Sequence, residues 1–334
     1  MIKNPRQSDF STSNTTVEEI KNFLFRFDNF LITSHIEPDG DAIGSQLAMA
    51  AQLKALGKNT YIVDAEPVPK RYRFLPEWET VQSDKWENIS FEAAIFLDVG
   101  NMGRVGNVMN IKTLKNVPIL NIDHHISNTF FGELNYVDND VSSTCECLFD
   151  IFKALHLKID QKIGMDLATG IITDTGRFSF KNTKGKTFSV CAELASDGVD
   201  FHLLSKLIYN KKSIESLSLL SQVLSTVKII DSIAFIRLTR NMLKKTGANE
   251  RDSEGFVNYA LSLDNIKAAV LMREKPEGLI RVSLRAKSDN IDVNKIASKF
   301  GGGGHPEAAG FRCKETFAQL EKKILKAFDE YEKT

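Results

Sequence analysis

An α/β domain built on a parallel sheet, joined by a helical linker to a smaller α+β domain, is the fold predicted by this 334-residue sequence. Three observations carry that expectation. Apolar runs of strand length alternate with helical patterns through the first half, the rhythm of βαβ units. Beyond about residue 228 that rhythm gives way to an α+β pattern of strands and helices. Charge divides at the same place. Residues 228–334 hold 20 Lys and Arg against 15 Asp and Glu, a net of +5, and the first 227 hold 23 against 28, a net of −5.

The stretch MIKNPRQSDFSTSNTT lacks the apolar core of a signal peptide and reads as a frayed N-terminal tail. Residues 30–34 (FLITS) form a short buried strand. Residues 41–56 place Ala and Leu at helical spacing, and Gly57 closes the helix. Residues 60–64, 93–97 and 118–122 are further apolar strands, each followed by polar or glycine-containing segments. Residues 142–156 and 161–173 read as helices, and 184–197 and 201–227 as a helical region. In the second half, 232–238, 267–273 and 279–286 are expected strands, and 253–263, 293–300 and 317–328 expected helices. The predicted organisation is a catalytic domain over 18–210, a helical linker over 211–228 and a second domain over 229–334.

Hydrophobic residues make up 42% and charged residues 26% of the chain, the balance of a soluble globular protein, which excludes disordered, collagen-like and disulfide-stapled classes. No apolar run approaches the ~20 residues needed to span a bilayer, so no membrane association is expected. Cys145, Cys147, Cys191 and Cys313 make no CxxC pair and no framework spacing, which points to a reducing cytoplasm. An acidic first lobe suits cations and a basic second lobe suits an anionic substrate.

Chemistry-bearing residues concentrate just after the expected strands. FLITS runs into His35-Ile-Glu-Pro-Asp39-Gly-Asp41, AIFL into Asp98, and PILNI into Asp123-His124-His125, and the helix over 161–173 ends at Asp174. An Asp in such a place is commonly a helix N-cap, and Asp41 fits that description for its own helix. Ligand sites of parallel α/β sheets, however, lie at the carboxyl ends of the strands, so four segments are expected to deliver His and Asp to one crevice. Carboxylate and imidazole donors without thiolate suit Mn²⁺, Mg²⁺, Fe²⁺ or Zn²⁺. So many donors exceed the needs of one catalytic ion with open positions; they suit two ions ~3.5–4 Å apart, bridged by a carboxylate and acting on a phosphoryl group, with no Ser or Cys nucleophile required.

The segments HIEPDGDAIGS, FLDVG, NIDHHISN and ITDTGRF resemble, in order and spacing, the four motifs of the DHH phosphoesterase superfamily. The run Gly301-Gly302-Gly303-Gly304-His305-Pro-Glu-Ala-Ala-Gly310 resembles the GGGH signature of the DHH-associated C-terminal domain. With both signatures at this length, the sequence is most similar to the nanoRNase and 3′-phosphoadenosine-5′-phosphate phosphatase branch. The resemblance implies His35, Asp39 and Asp98 on one metal and Asp41, Asp98, His124 and Asp174 on the other, with Asp98 bridging. Mn²⁺ is the implied ion, with Mg²⁺ or Fe²⁺ as substitutes. His125 would face the scissile phosphate as donor or acid, and Asp123 would orient its neighbours. Where relatives often carry small or hydroxyl residues after the motif-two Asp, this chain has Val99-Gly100, which leaves the ligand intact. Arg104, in GNMGRVG, matches a basic position implied to contact phosphate.

In the second domain, consecutive glycines let backbone amides approach an anion. His305 adds a donor, and Arg285, at the end of RVSLRA, offers a planar fork for phosphate. The implied partners are short single-stranded RNA oligonucleotides and 3′-phosphoadenosine 5′-phosphate, held between the two lobes by a possible homodimer. Among enzymes the alternative is a cyclic-dinucleotide or linear-dinucleotide phosphodiesterase. A family II pyrophosphatase lacks GGGGH, and a large RecJ-type exonuclease carries a further nucleic-acid-binding domain. A non-catalytic nucleotide- or RNA-binding protein on this scaffold is the reading from another class; it is expected to show lost ligands, and all are present.

Overall fold

The computed structural model describes residues 14–83, 86, 89–111, 114, 116–210, 212–288 and 290–333. The expected frayed tail therefore falls, up to residue 13, outside the described residues. The chain forms two compact units that part between residues 211 and 212.

In the first unit, strands β1 (Asn29–Thr33), β2 (Asn59–Val63), β3 (Val81–Gln82), β4 (Ala93–Leu97), β5 (Ile119–Asp123) and β6 (Leu134–Val137) form one sheet in the order β3-β2-β1-β4-β5-β6. Every pairing is parallel. Strand order therefore reverses between β1 and β4, the place where an open α/β sheet leaves a crevice. Helices α1 (Val17–Arg26), α2 (Gly40–Ala55), α3 (Thr144–Ala154), α4 (Gln161–Asp174), α5 (Gly185–Ser196) and α6 (Phe201–Tyr209) complete the unit. Their apolar faces share one core with Phe30, Ile32, Ile95 and Ile122 of the sheet. The opposite sheet face, including Leu31, Ala94 and Phe96, is covered by Val105, Val108, Ile111 and Leu114. That cover is largely a 3₁₀ segment, Met102–Asn110, rather than an α-helix. Gly106, at φ 64°, breaks it where a regular helix would have to continue.

Helix α1 and strand β6 were not anticipated from the sequence. The α1 start was nonetheless written there: Thr16 caps Glu19 and Glu19 caps Thr16 in return, a capping box. Residues 201–227, expected as one helical stretch, divide after Tyr209, and Ser213 caps a new helix, α7 (Ile214–Leu224). Leu204 and Ile208 of α6 are buried in the first unit's core, whereas Leu219, Leu220 and Val223 of α7 are buried in the second's.

The second unit pairs β7 (Lys228–Ile230), β8 (Ile233–Leu238), β9 (Ala268–Glu274), β10 (Ile280–Ala286), β11 (Gly303–Gly304) and β12 (Ala308–Cys313) in the order β11-β12-β10-β9-β8-β7. All pairings are antiparallel except β8 with β9. Helices α8 (Arg240–Thr246), α9 (Phe256–Leu261), α10 (Val293–Ser298) and α11 (Phe317–Glu332) complete it. Residues of α10 and α11 cover the face bearing Val270, Met272, Val282 and Leu284, and residues of α7 and α9 cover Ala269 and Leu271 on the other. All four cysteines are free thiols, and among the described residues no helix is long and apolar enough to cross a membrane.

Candidate active site

The strands adjoining the reversal in sheet order deliver the side chains. The loop from β1 to α2 carries His35, Asp39 and Asp41. Asp39, not Asp41, is the N-cap of α2: its carboxylate accepts the amides of Asp41 and Ala42 at 3.0 and 3.1 Å. Asp41 instead lies fully buried in the first turn, where it accepts the Thr144 and Cys145 amides at 2.7 and 2.9 Å. These amides open α3, so the positive end of a second helix holds the Asp41 carboxylate.

Asp98 follows β4 and is nearly fully buried. Its backbone is left-handed, φ 59°, a conformation that Asp tolerates better than most residues and that is often kept for a site. One carboxylate oxygen lies 3.2 Å from His35 Nε2, and the other lies 3.7 Å from His124 Nε2 and 3.5 Å from His125 Nδ1. His124 Nε2 is also 3.5 Å from an oxygen of Asp174 at the end of α4 and 3.9 Å from Asp41. His35 Nδ1 pairs with the Ile36 carbonyl at 2.8 Å, which leaves Nε2 for the site.

Among the described residues, donor atoms of the first unit gather in three overlapping groups, each within 4.8 Å: His35, Asp39 and Asp98; Asp41, Asp98 and His124; and Asp98, Asp123 and His125. Asp98 belongs to all three. Burial and the charges of Asp98 and Asp39 push the Asp41 carboxyl well up, and burial with the charges of Asp41, Asp39 and Asp98 does the same to Asp174. Buried carboxylates in mutual repulsion are costly without cations, and with imidazoles interleaved they fit divalent ions.

Asp123 closes β5, fully buried, and accepts from His125 Nδ1 at 2.7 Å. Burial alone would lower the His125 pKa, but Asp123 outweighs it and holds the imidazole up to about 9. Burial likewise works against His35, yet Asp98 raises it to about 9. His124 moves the other way, lowered by burial and the neighbouring His125 charge. A histidine whose folded pKa is raised stabilises the fold fully below its ordinary 6.5 and loses that contribution as pH rises through about 9. The raised Asp41 and Asp174 carboxyls act in the same direction. Metal-free protein in chelator is therefore expected to lose Tm steadily between about pH 6.5 and 9, by ~5 °C or more; a flat Tm across that window would contradict the assignment.

Several neighbours were missed from sequence. Asn128, three residues beyond His125, donates to Asp123 at 2.6 Å and to the Asn121 side chain at 2.8 Å, bracing the turn after β5. Asn182 reaches the Asp174 carbonyl at 3.1 Å. Asp64, just after β2, is a fully buried carboxylate at yet another strand end; its position was visible in the sequence by the same logic that singled out Asp98. Cys145 is buried against Asp41, and burial with that charge pushes its thiol well above its ordinary range, which disqualifies it as a nucleophile. Arg104 is exposed, its carbonyl accepts the Ile36 amide at 2.7 Å, and its charge opposes protonation of His35.

In the second unit, Arg285 lies half-buried near the end of β10, paired in register with Ala308 and donating to the Leu284 carbonyl at 2.9 Å. The glycine run differs from the expected anion loop. The Gly301 and Gly302 amides close α10 by donating to Ser298 and Ala297, and Gly303 and Gly304 are strand residues paired with Gly310 and Ala309. His305 and Ala308 exchange backbone hydrogen bonds across the turn. A Cβ on Gly302 would sit 2.2 Å from the Gly310 carbonyl oxygen, so this glycine is required by a close approach of backbone. The Gly301 and Gly302 amides are thus spent on the helix end.

Comparison with known proteins agrees with this architecture. The DHH family N-terminal domain matches residues 29–173, and the DHHA1 domain matches residues 231–334. The chain is 36% identical over 302 residues to the bifunctional oligoribonuclease and PAP phosphatase NrnA of Thermus thermophilus, covering 90% of this chain and 89% of that one. It is 28% identical to the protein of the same name from Bacillus subtilis, over 85% and 89% of the two chains. Among solved structures, an exopolyphosphatase-related protein from Bacteroides fragilis matches with a TM-score of 0.87 and 28% identity, covering 94% of this chain and 96% of that one. With both domains matched and this likeness running over nearly the whole of each relative, the chain belongs to the DHH family.

Proposed function

We propose that this protein is a two-metal phosphoesterase that hydrolyses short RNA oligonucleotides to mononucleotides and 3′-phosphoadenosine 5′-phosphate to AMP and phosphate. The observation that carries the reading is the meeting of the β1–α2 loop and the end of β5 on Asp98, with Asp174 joined through His124, in a chain whose curated relatives are named oligoribonuclease and PAP phosphatase. His35, Asp39 and Asp98 would hold one ion, and Asp41, Asp98, His124 and Asp174 the other, with Mn²⁺ suited to this mixed oxygen and nitrogen set. When bound, such a pair clamps phosphoryl oxygens and makes water nucleophilic near neutral pH. His125, kept charged at neutral pH by Asp123, gives its Nε2 proton to the leaving oxygen. Arg104 contributes charge at the rim. Residues 18–210 do this chemistry, and the second unit, with α7 packed into its core, binds substrate through Arg285 and His305. The protein acts in the cytoplasm, as a homodimer.

Turnover with Mn²⁺ on pApA, longer single-stranded RNA, duplex RNA, 3′-phosphoadenosine 5′-phosphate, cyclic di-AMP and pyrophosphate tests the reading. Mononucleotides from the short RNAs and AMP from the phosphoadenosine are expected, with little activity on the duplex. Cyclic di-AMP as the best substrate, or turnover in strong chelator, would overturn it. Light scattering decides the oligomeric state. Changing Arg285 to Ala is expected to lower kcat/KM on oligonucleotides roughly tenfold, about 1.4 kcal/mol, while metal content and cleavage of bis-p-nitrophenyl phosphate hold steady. Equal losses on both substrates would place Arg285 in the fold or in the chemistry instead.

A further inference from the structure

We infer that Asp64 is a positioning residue that sets the β1–α2 loop and, through it, the affinity of the metal site containing His35 and Asp39. One oxygen of this fully buried carboxylate accepts the Ser34 amide at 3.2 Å and the Gln46 side-chain amide at 2.6 Å. Ser34 is the residue before His35, and Gln46 is five residues beyond Asp41 on α2. A single atom therefore clamps both ends of the loop that supplies His35 and Asp39, whereas Asp41, on the same loop, is held separately by the Thr144 and Cys145 amides. Both donors are themselves buried, so the clamp is shielded from water.

Folding alone does not account for a carboxylate here. Among the described residues, its second oxygen is buried without a hydrogen-bond partner, as are the Ser34 hydroxyl and the Gln46 carbonyl oxygen. A buried charge satisfied on one oxygen only is a cost to the fold. What the charge supplies is a negative group behind the loop, bonded to the amide of the residue that precedes His35. Groups behind metal ligands set ligand orientation and basicity, and their loss typically weakens a metal site 10–100-fold.

The inference rests on the two-ion reading, so the parent chain is the control. Mn²⁺ is titrated calorimetrically into the metal-free parent, Asp64→Asn, Gln46→Met and His35→Ala, and the Tm of each metal-free protein is recorded. The parent should take up two ions, and His35→Ala identifies which isotherm belongs to its site. Asp64→Asn keeps the side chain's shape and removes its charge. It should weaken that same site about tenfold or more, leave the other within about twofold, and leave Tm unchanged or raised. A merely structural residue would lower Tm and would not single out one site. Gln46→Met, which keeps the carboxylate but cuts its tie to α2, should weaken the same site. Unchanged affinities in Asp64→Asn, parallel loss at both sites with a fall in Tm, or an unaffected Gln46→Met would overturn the role of Asp64 while leaving the two-ion reading intact. A parent that binds fewer than two ions would overturn both.

Discussion

Replacing Asp98 with Ala is expected to lower kcat/KM for pApA on the order of 10³-fold or more, at least ~4 kcal/mol of transition-state stabilisation. Among the described residues, no other side chain belongs to all three donor groups of the first unit: it lies 3.2 Å from His35, 3.7 Å from His124 and 3.5 Å from His125. Removing it separates the two proposed ion sites and takes away the charge that lifts His35 to about 9. The fold should survive. The variant gives up the Thr144 hydroxyl bond at 3.4 Å and the tie to His35 at 3.2 Å, and Ala tolerates the left-handed φ of 59° less well than Asp, so some stability is lost with the ligand. Circular dichroism of the metal-free variant should therefore resemble the parent's, with Tm lowered by a few degrees, while bound Mn²⁺ falls below two per chain. Parent-like turnover would remove Asp98 from the centre of the mechanism.

The second large effect is expected at His125. Changing it to Ala should lower kcat by about 10²–10⁴-fold, the usual worth of a positioned general acid, with bound Mn²⁺ unchanged. Geometry offers a competing role, because His125, Asp123 and Asp98 also lie close enough together to ligate an ion. The two roles differ in what else moves. An acid held charged by Asp123 should give a pH profile whose alkaline limb disappears in the variant, and Asp123→Asn should shift that limb to lower pH by withdrawing the partner that raises His125. A ligand should instead cost metal content. Loss of an ion from the variant would overturn the acid assignment and move His125 into the metal shell.

Much of this site was legible in the sequence because parallel strands all run the same way. Short apolar runs ending in Asp or His must present those ends along one edge of the sheet, so FLITSH, AIFLD and NIDHH announced a shared crevice before any packing was known. The family resemblance sharpened that into residue roles. Local start signals were present but went unread at α1, where Thr16 and Glu19 form a capping box.

The sequence by itself determined the βαβ rhythm, the donor types and the change of fold class in the second half, all of which follow from local spacing. Tertiary structure decided the rest, because strand neighbours and hydrogen-bond partners are non-local. Only the order β3-β2-β1-β4-β5-β6 places β1 beside β4, and hence His35 against Asp98. Only that packing brings the α3 amides onto Asp41 and the Asp64 carboxylate under Ser34. The glycine run shows the same limit from the other side. Four glycines permit an anion loop, but backbone pairing with Gly310 and Ala309 made two of them strand, since hydrogen bonds to a partner strand outweigh the freedom that glycine has alone.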